Sequence, residues 1–320
     1  MQQRAGAGLA LALLSAATFG TSGTFAASLL AAGWTPGAAV TARVLIAALA
    51  LTLPALLLLR GRFGDLWRGS RGVTIYGLAA VAGCQLAYFN AVQSLSVAVA
   101  LLLEYSGALL VVGWLWLRHQ QRPRRLTVLG AAVAVGGLVL VLDVLGDASL
   151  DPVGVLWGLG AAVGLAVYFV LSAQNQDALP PLVVAWGGLT IGGIALAVVG
   201  ALGLIEMQAP RVDVVLRGAE VSWLVPVLGL ALVAAAFAYV AGIVGARILG
   251  AKVASFVGLS EVLFAVVIAW VLLGQSLSTV QLLGGLLVVG GIALVRIDEL
   301  RGGDLAAPVT PSQELVTHSG

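Results

Sequence analysis

Arg43, Glu104 and Glu261 are the three ionisable residues of this sequence that fall inside long apolar stretches. A charge at the centre of a helix crossing a bilayer costs about 2.5–3.5 kcal/mol on insertion scales, so each needs a partner or a task. Desolvation favours the protonated form of a carboxylic acid, and a nearby guanidinium favours the ionised form. Two such glutamates can take up and release protons or hold a substrate amine, and the arginine can hold a substrate carboxylate. Together they suit a zwitterion. The competing reading is a static buried ion pair that sets helix packing, with Glu261 a neutral acid hydrogen-bonded to a neighbour.

A second group lies on one stretch. Gln85, Phe89 and Gln93 recur every four residues with Tyr88 beside them, which puts all four on one helical face. Asn90 follows on the same stretch. Three amides on one apolar segment point to a cavity lining; interhelical hydrogen bonding, worth only about 0.6 kcal/mol per contact, is the blander alternative. Tyr105 and Tyr239 are further candidates, and Thr18, Thr21 and Ser22 read as backbone partners beside Gly20 and Gly23.

Other chemistries lack raw material. Cys84 is the single cysteine, and His119 and His318 lie outside the apolar runs, so neither a Cys/His metal site nor a buried Ser/His/Asp triad can be assembled. No Walker motif or HExxH occurs. No cofactor is expected, and a formal charge of +2 with no dense basic patch argues against nucleic acid.

The elements that must position these residues follow from composition. Of 320 residues 61% are hydrophobic and only 9% charged, with mean hydropathy +1.09, which describes an integral membrane protein. Stretches of about 20 apolar residues cross a bilayer as helices. Ten are expected, at 7–31, 36–59, 73–94, 96–117, 126–143, 153–173, 181–205, 222–246, 252–273 and 280–297. The first run is too long for a signal peptide. The alternating segments of a membrane β-barrel are missing. Counting 1.5 Å per residue, Arg43 lies about 10 Å and Glu104 about 12 Å below one surface, and Glu261 about 13 Å from the other. All three approach the midplane and can meet around one cavity, and an Arg43–Glu104 pair is within geometric reach.

Orientation follows from loop cations. With the N-terminus inside, thirteen Lys and Arg lie in inner segments and two, Arg211 and Arg217, in outer ones. Both termini are therefore expected in the cytoplasm, in a bacterial cytoplasmic membrane by composition. Asp143, Asp147 and Asp151 fall in one outer loop. Trp34, Trp157, Trp223 and Trp270 are expected near outer headgroups, Trp114, Trp116 and Trp186 near inner ones, and Trp67 on the inner surface. Residues 298–320 are polar and turn-rich and read as a disordered tail.

The chain also repeats itself. Aligning Glu104 with Glu261 brings the flanking apolar positions into register, and a three-residue gap then aligns Gly136-Gly137 with Gly290-Gly291. Phe19 and Tyr168 occupy similar places in the first and sixth stretches, and Pro36 and Pro181 open the second and seventh. Two halves of five helices, 1–145 and 146–297, must insert upside down relative to each other, giving an all-α membrane protein of ten transmembrane helices as two inverted five-helix repeats. The glycine pairs Gly154/Gly158, Gly160/Gly164 and Gly188/Gly192 are spaced for close helix packing, within a monomer or in a homodimer.

In the link Asn90 to Ser96, the Glu104-Tyr105 pair, the run Glu261-Val262-Leu263-Phe264 to Leu272-Leu273-Gly274, and Gln281 to Gly291, the chain resembles the EamA-type transporters of the drug/metabolite transporter superfamily. The likeness covers about 1–297. It departs at Gly107-Ala108, where the family often has a proline, and at Gln275, where it commonly has a glutamate. The resemblance implies a secondary transporter, exporting small metabolites such as amino acids by alternating access, coupled to protons or to exchange. It implies no enzyme. A membrane scaffold or sensor that transports nothing is the alternative, and a membrane-embedded enzyme ranks behind both because the spans hold no catalytic pair. The expected partners are a small-molecule substrate and the lipid bilayer.

Overall fold

A backbone surrounded by lipid must satisfy its N–H and C=O groups within its own segment, and a helix does this residue by residue. The computed structural model describes residues 2–95, 97–120, 122–141, 151–174, 179–216, 218–273 and 278–305, and it is built of helices joined by short turns. In chain order they are α1 (Gln2–Gly20) and α2 (Ser22–Ala31), parted at Thr21, then α3 (Pro36–Leu59). Next come α4 (Phe63–Ile75) and α5 (Cys84–Ser94), joined by a π-helical stretch Tyr76–Gly83. The pair α6 (Val97–Tyr105) and α7 (Gly107–His119) is parted at Ser106, and α8 (Arg125–Val141) follows. The later part has α9 (Pro152–Ala173), α10 (Pro181–Ala201) and α11 (Leu224–Leu228). A second π-helical stretch, Gly229–Phe237, leads into α12 (Ala238–Gly258), followed by α13 (Ser260–Leu273) and α14 (Thr279–Leu305). Prolines 36, 152 and 181 open their helices, where a missing N–H costs nothing.

Among the described residues eight helices are long and apolar enough to cross a membrane, two fewer than the ten expected. Two local causes account for the difference. Helix α8 is described over 17 residues and α13 over 14, each stretch adjoining residues outside the description and neither by itself reaching the length of a full span. The stretch Leu224–Gly258 reads as one helix of 35 residues, because helical hydrogen bonding continues across a break at Gly250. Gly250 has φ +78° and ψ 159°, a region open in practice only to glycine. Gly250→Ala is expected to lower stability by about 1–3 kcal/mol, read as an earlier thermal midpoint of purified protein.

Two further expectations change, and two tryptophans gain partners. The fold is not wholly helical: Val214–Leu216 (β1) pairs antiparallel with Ala219–Val221 (β2). This hairpin lies in the polar link outside the apolar runs, and Val214 anchors it in a cluster with Leu29, Trp34 and Val227. Trp34 and Trp186, both expected near headgroups, are hydrogen-bonded within the chain. The Trp34 indole donates to Pro210 O at 2.8 Å and lies 5.9 Å from the Trp223 ring, and Trp186 donates to Thr52 Oγ1 at 3.0 Å. Trp67, Trp114, Trp116 and Trp157 are exposed. Finally, α14 runs on through Leu305, past the expected start of the tail at 298. Asp298, buried, accepts from Thr127 at 2.5 Å, and Glu299 pairs with Lys252 at 2.5 Å, so the first polar residues of the supposed tail are tied down. Residues 306–320, Asp143 and Asp147, and Gln275 lie outside the described residues.

Packing depends on small residues inside and large ones outside. Leu49, Leu53 and Leu57 form an exposed stripe on α3, whereas Val44, Ala47 and Ala48 are buried. Between α8 and α14 a Cβ on Gly130 would stand 2.8 Å from Gly291 O, and one on Gly291 2.6 Å from Gly130 O. Gly137 and Gly284 are related in the same way, at 2.6 and 2.7 Å. The seam is reciprocal, as an antiparallel contact across a local two-fold would be. Other contacts come in companion pairs: α1 on α12 with α9 on α5, α1 on α13 with α9 on α6, and α10 on Tyr76–Gly83 with α3 on Gly229–Phe237. Exchanging residues 1–145 with 146–297 maps each of these onto its companion. The glycines of α9 and α10 pack within the chain too, Gly158 on Leu103, Gly164 on Cys84 and Gly188 on the Tyr76 ring, whereas Gly160 meets Ala87 only at 3.5 Å.

Candidate functional site

Both glutamates sit beside interruptions in their helices. Glu104 is in the last turn of α6, where the Ser106 hydroxyl turns back to Leu103 O at 2.6 Å. Glu261 is in the first turn of α13, where Ser260 turns back to Val257 O at 2.6 Å. Each interruption is clamped by glycine: a Cβ on Gly107 would stand 2.6 Å from Ala162 O, and one on Gly20 3.0 Å from Glu261 O. Interrupted helices at membrane depth are tolerated where protein or an aqueous cavity surrounds them.

Arg43 reaches across from α3. Its Nη2 donates to Ala234 O at 2.6 Å, inside the second π-helical stretch, and its guanidinium carbon stands 5.7 Å from the Phe19 ring centroid. Its Nε is buried with no hydrogen-bond partner among the described residues. Arg43 is in electrostatic reach of Glu104, Glu261 and Tyr239. Among the described residues the ion pairs are Arg62–Asp65, Arg68–Asp65 and Lys252–Glu299, so Arg43 acts on the glutamates through space and not by direct pairing.

The glutamates have partners of their own. Cys84 Sγ lies 3.4 Å from Glu104 Oε1 and 3.4 Å from Ala161 O, and its one proton can serve only one of them at a time. The Tyr105 hydroxyl is in hydrogen-bonding reach of the Glu261 carboxyl, and Tyr88 is in electrostatic reach of both glutamates. Arg43, Glu104, Glu261, Gln85, Tyr88 and Phe89 are all half-buried, and Tyr105 is buried. The structure thus gathers Arg43, Glu104, Glu261, Tyr88 and Tyr105. Gln85 and Phe89 share α5 with Tyr88, whose ring lies 5.9 Å from that of Phe89. Asn90 instead donates to Leu86 O of its own helix at 2.7 Å. Gln93 belongs to α5, and its side chain lies outside the described residues.

An aromatic layer adjoins this cluster. Tyr239 stacks edge-on against Phe19 at 5.1 Å and Tyr168 at 5.7 Å, and Tyr76 lies 5.9 Å from Tyr168. Phe19 and Tyr168 mark the repeat, so their matched positions were a usable signal for half of the layer. Tyr76 and the Cys84 contact carry no such signal, because each depends on how distant helices pack. A groove of about 540 Å³ lies elsewhere, lined by apolar residues including Leu156, Trp157 and Val163, and offers nothing to hold a charge. No group of three or more metal-binding side chains occurs among the described residues.

Comparison with known proteins accords with this arrangement. The description "EamA-like transporter family" matches residues 6–143 and again 152–297. An uncharacterized transporter of Archaeoglobus fulgidus is 26% identical over 223 residues, covering 70% of this chain and 74% of that protein. The uncharacterized inner membrane transporter YicL of Salmonella typhimurium is 21% identical over 229 residues, 71% of this chain and 73% of that one. The uncharacterized transporter YwfM of Bacillus subtilis is 26% identical over 210 residues, 65% and 67% respectively. One crystal structure superposes with a TM-score of 0.73 at 21% identity, over 92% of this chain and 98% of its own; at that identity it speaks to the fold alone.

Proposed function

Because the chain belongs to the EamA-like transporter family, a family of membrane transporters, we propose that it is a secondary carrier for a small zwitterionic metabolite such as an amino acid, working as an exporter. The observation that carries the reading is the meeting of one guanidinium and two carboxyl groups from α3, α6 and α13, two from the first half of the chain and one from the second. Arg43 takes the substrate carboxylate, and the two glutamates take its ammonium group or the coupled proton. Tyr88 and Tyr105, with Gln85 and Phe89 on the same helix as Tyr88, supply the remaining contacts to the substrate in this reading.

In this reading residues 1–145 and 146–297 are inverted five-helix units, with α8 and a helix starting after Gly250 completing ten spans. The companion contacts and the reciprocal glycine seam support it: two units related by a two-fold in the membrane plane have two equivalent tilts, one open to each side. Thirteen loop cations against two support placing both termini in the cytoplasm, in the cell membrane.

The test is a thermal-shift comparison of amino acids with their decarboxylated and deaminated analogues on purified protein, followed by counterflow of any hit in proteoliposomes. Saturable counterflow is expected, with both charged groups of the ligand required. Stabilisation without counterflow would indicate a sensor, and conductance without saturation a channel; either result overturns the carrier reading.

A further inference from the structure

A second cluster of buried polar atoms lies apart from Glu104 and Glu261. Six buried side-chain nitrogen or oxygen atoms have no hydrogen-bond partner among the described residues: Ser22 Oγ, Arg43 Nε, and the four atoms Tyr76 Oη, Ser172 Oγ, Arg247 Nε and Arg247 Nη2. The last four belong together. Tyr76 lies beside Ser172 and is in electrostatic reach of Arg247. The two hydroxyls adjoin each other without the geometry of a hydrogen bond. Leaving a buried polar group unpaired costs about 1–3 kcal/mol, and more for a charged group. Four such atoms in one place are a donor set awaiting an acceptor.

Its place in the fold gives the set a role. Arg247 Nη1 donates to Leu179 O at 2.8 Å, in the turn before α10, and Ile248 meets Gly8 near the start of α1. Arg247 is therefore at the face of the bundle where the chain begins. Arg247 as a whole is half-buried, whereas its Nε and Nη2 are fully buried. Tyr76 and Ser172 are fully buried behind it, and Tyr76 is also a member of the aromatic layer. Arg43 stands against the same layer through Phe19. Helix α12 and the π-helical stretch before it bear on both stations, through Ala234 O at one and Arg247 at the other. From Tyr239 to Arg247 is about 12 Å of helix.

We propose that Arg247, Tyr76 and Ser172 form a second anion site, separated from Arg43 by the aromatic layer, which takes the carboxylate of a small organic acid at the face of the bundle where the chain begins. The guanidinium supplies Nε–H and Nη2–H as a fork and the two hydroxyls supply the remaining donors; all four donate, and a carboxylate has two oxygens to receive them. The assignment rests on the carrier reading for its meaning: a substrate carboxylate is held at Arg247 before or after Arg43 holds it. Among the described residues no glutamate or aspartate pairs with Arg247, which leaves its charge for the ligand.

Sodium acetate, sodium chloride and neutral acetamide are the probes, titrated against the thermal midpoint of the full purified chain. An Arg43→Gln background removes the other anion station. In it, acetate is expected to raise the midpoint saturably, acetamide to do nothing and chloride to act only at much higher concentration. Tyr76→Phe and Ser172→Ala, which keep the fold's volume nearly unchanged, are each expected to raise the half-saturating acetate concentration about tenfold to a hundredfold, in line with one lost hydrogen bond to a charged group. Arg247→Gln abolishes the response. Acetate acting no better than acetamide, or acetate titrations unchanged in both hydroxyl variants, would overturn the site. Chloride as potent as acetate would overturn the carboxylate assignment. If Arg247→Gln does not fold, the two hydroxyl variants decide. The titration reads binding without transport, so its failure is separable from a failure of counterflow.

Discussion

Gly137→Ala and Gly291→Ala are each expected to lower the thermal midpoint sharply, while Gly136→Ala and Gly290→Ala, one residue away, leave it unchanged or raise it. A methyl on Gly137 would stand 2.6 Å from Gly284 O and 2.7 Å from Val288 N; one on Gly291 would stand 2.6 Å from Gly130 O and 2.6 Å from Ala134 N. Backbone atoms cannot rotate away as a side chain can, so the two helices must separate. Overpacking of this kind costs about 1–3 kcal/mol, and separation of the whole seam costs more. A methyl on Gly136 or Gly290 meets nothing within 4 Å. There the change removes a helix-weakening glycine, a gain of up to about 1 kcal/mol. Gly137→Ala combined with Gly284→Ala should cost less than the sum of the two, because both open the same contact. Equal midpoints for the 136 and 137 variants would show that α8 and α14 do not meet through these residues.

Replacing both membrane glutamates has the largest expected effect on activity. Glu104→Gln with Glu261→Gln should reduce substrate uptake into vesicles at least about tenfold, equivalent to some 1.4 kcal/mol of transition-state stabilisation, and flatten its dependence on pH. The midpoint should hold or rise, since an amide matches the shape of the acid and removes a charge that is costly to bury. Cys84→Ala is a milder probe. It takes away the thiol 3.4 Å from Glu104 Oε1, so the pH profile of uptake should move while transport persists. Uptake that still follows pH in the double glutamate variant would remove the glutamates from the coupling step and leave Arg43 as the group to examine.

Much of the fold was legible before the structure, and for one reason. In a bilayer each crossing helix is a local object, so length and apolarity reveal it without knowledge of its neighbours. The starts at Pro36 and Pro181 and the positions of Glu104 and Glu261 were read this way, as was the matched pair Phe19 and Tyr168. The misreadings were local rules overridden by distant contacts. Asp298 and Glu299 look like the start of a tail until Thr127 and Lys252 hold them. Nothing along the sequence shows that Pro210, 176 residues away, accepts from the Trp34 indole.

The sequence by itself determined that this is a membrane protein, roughly where its helices run, that it repeats, and that three ionisable residues fall inside its apolar stretches. Depth along a helix follows from counting residues. The tertiary structure alone decided which groups meet: Arg43 on Ala234 O, 191 residues on, Cys84 on Glu104, and Tyr76 beside Ser172 and within electrostatic reach of Arg247. Those contacts depend on the rotation and separation of helices, which glycine seams set to within an ångström and which no count along a single helix records.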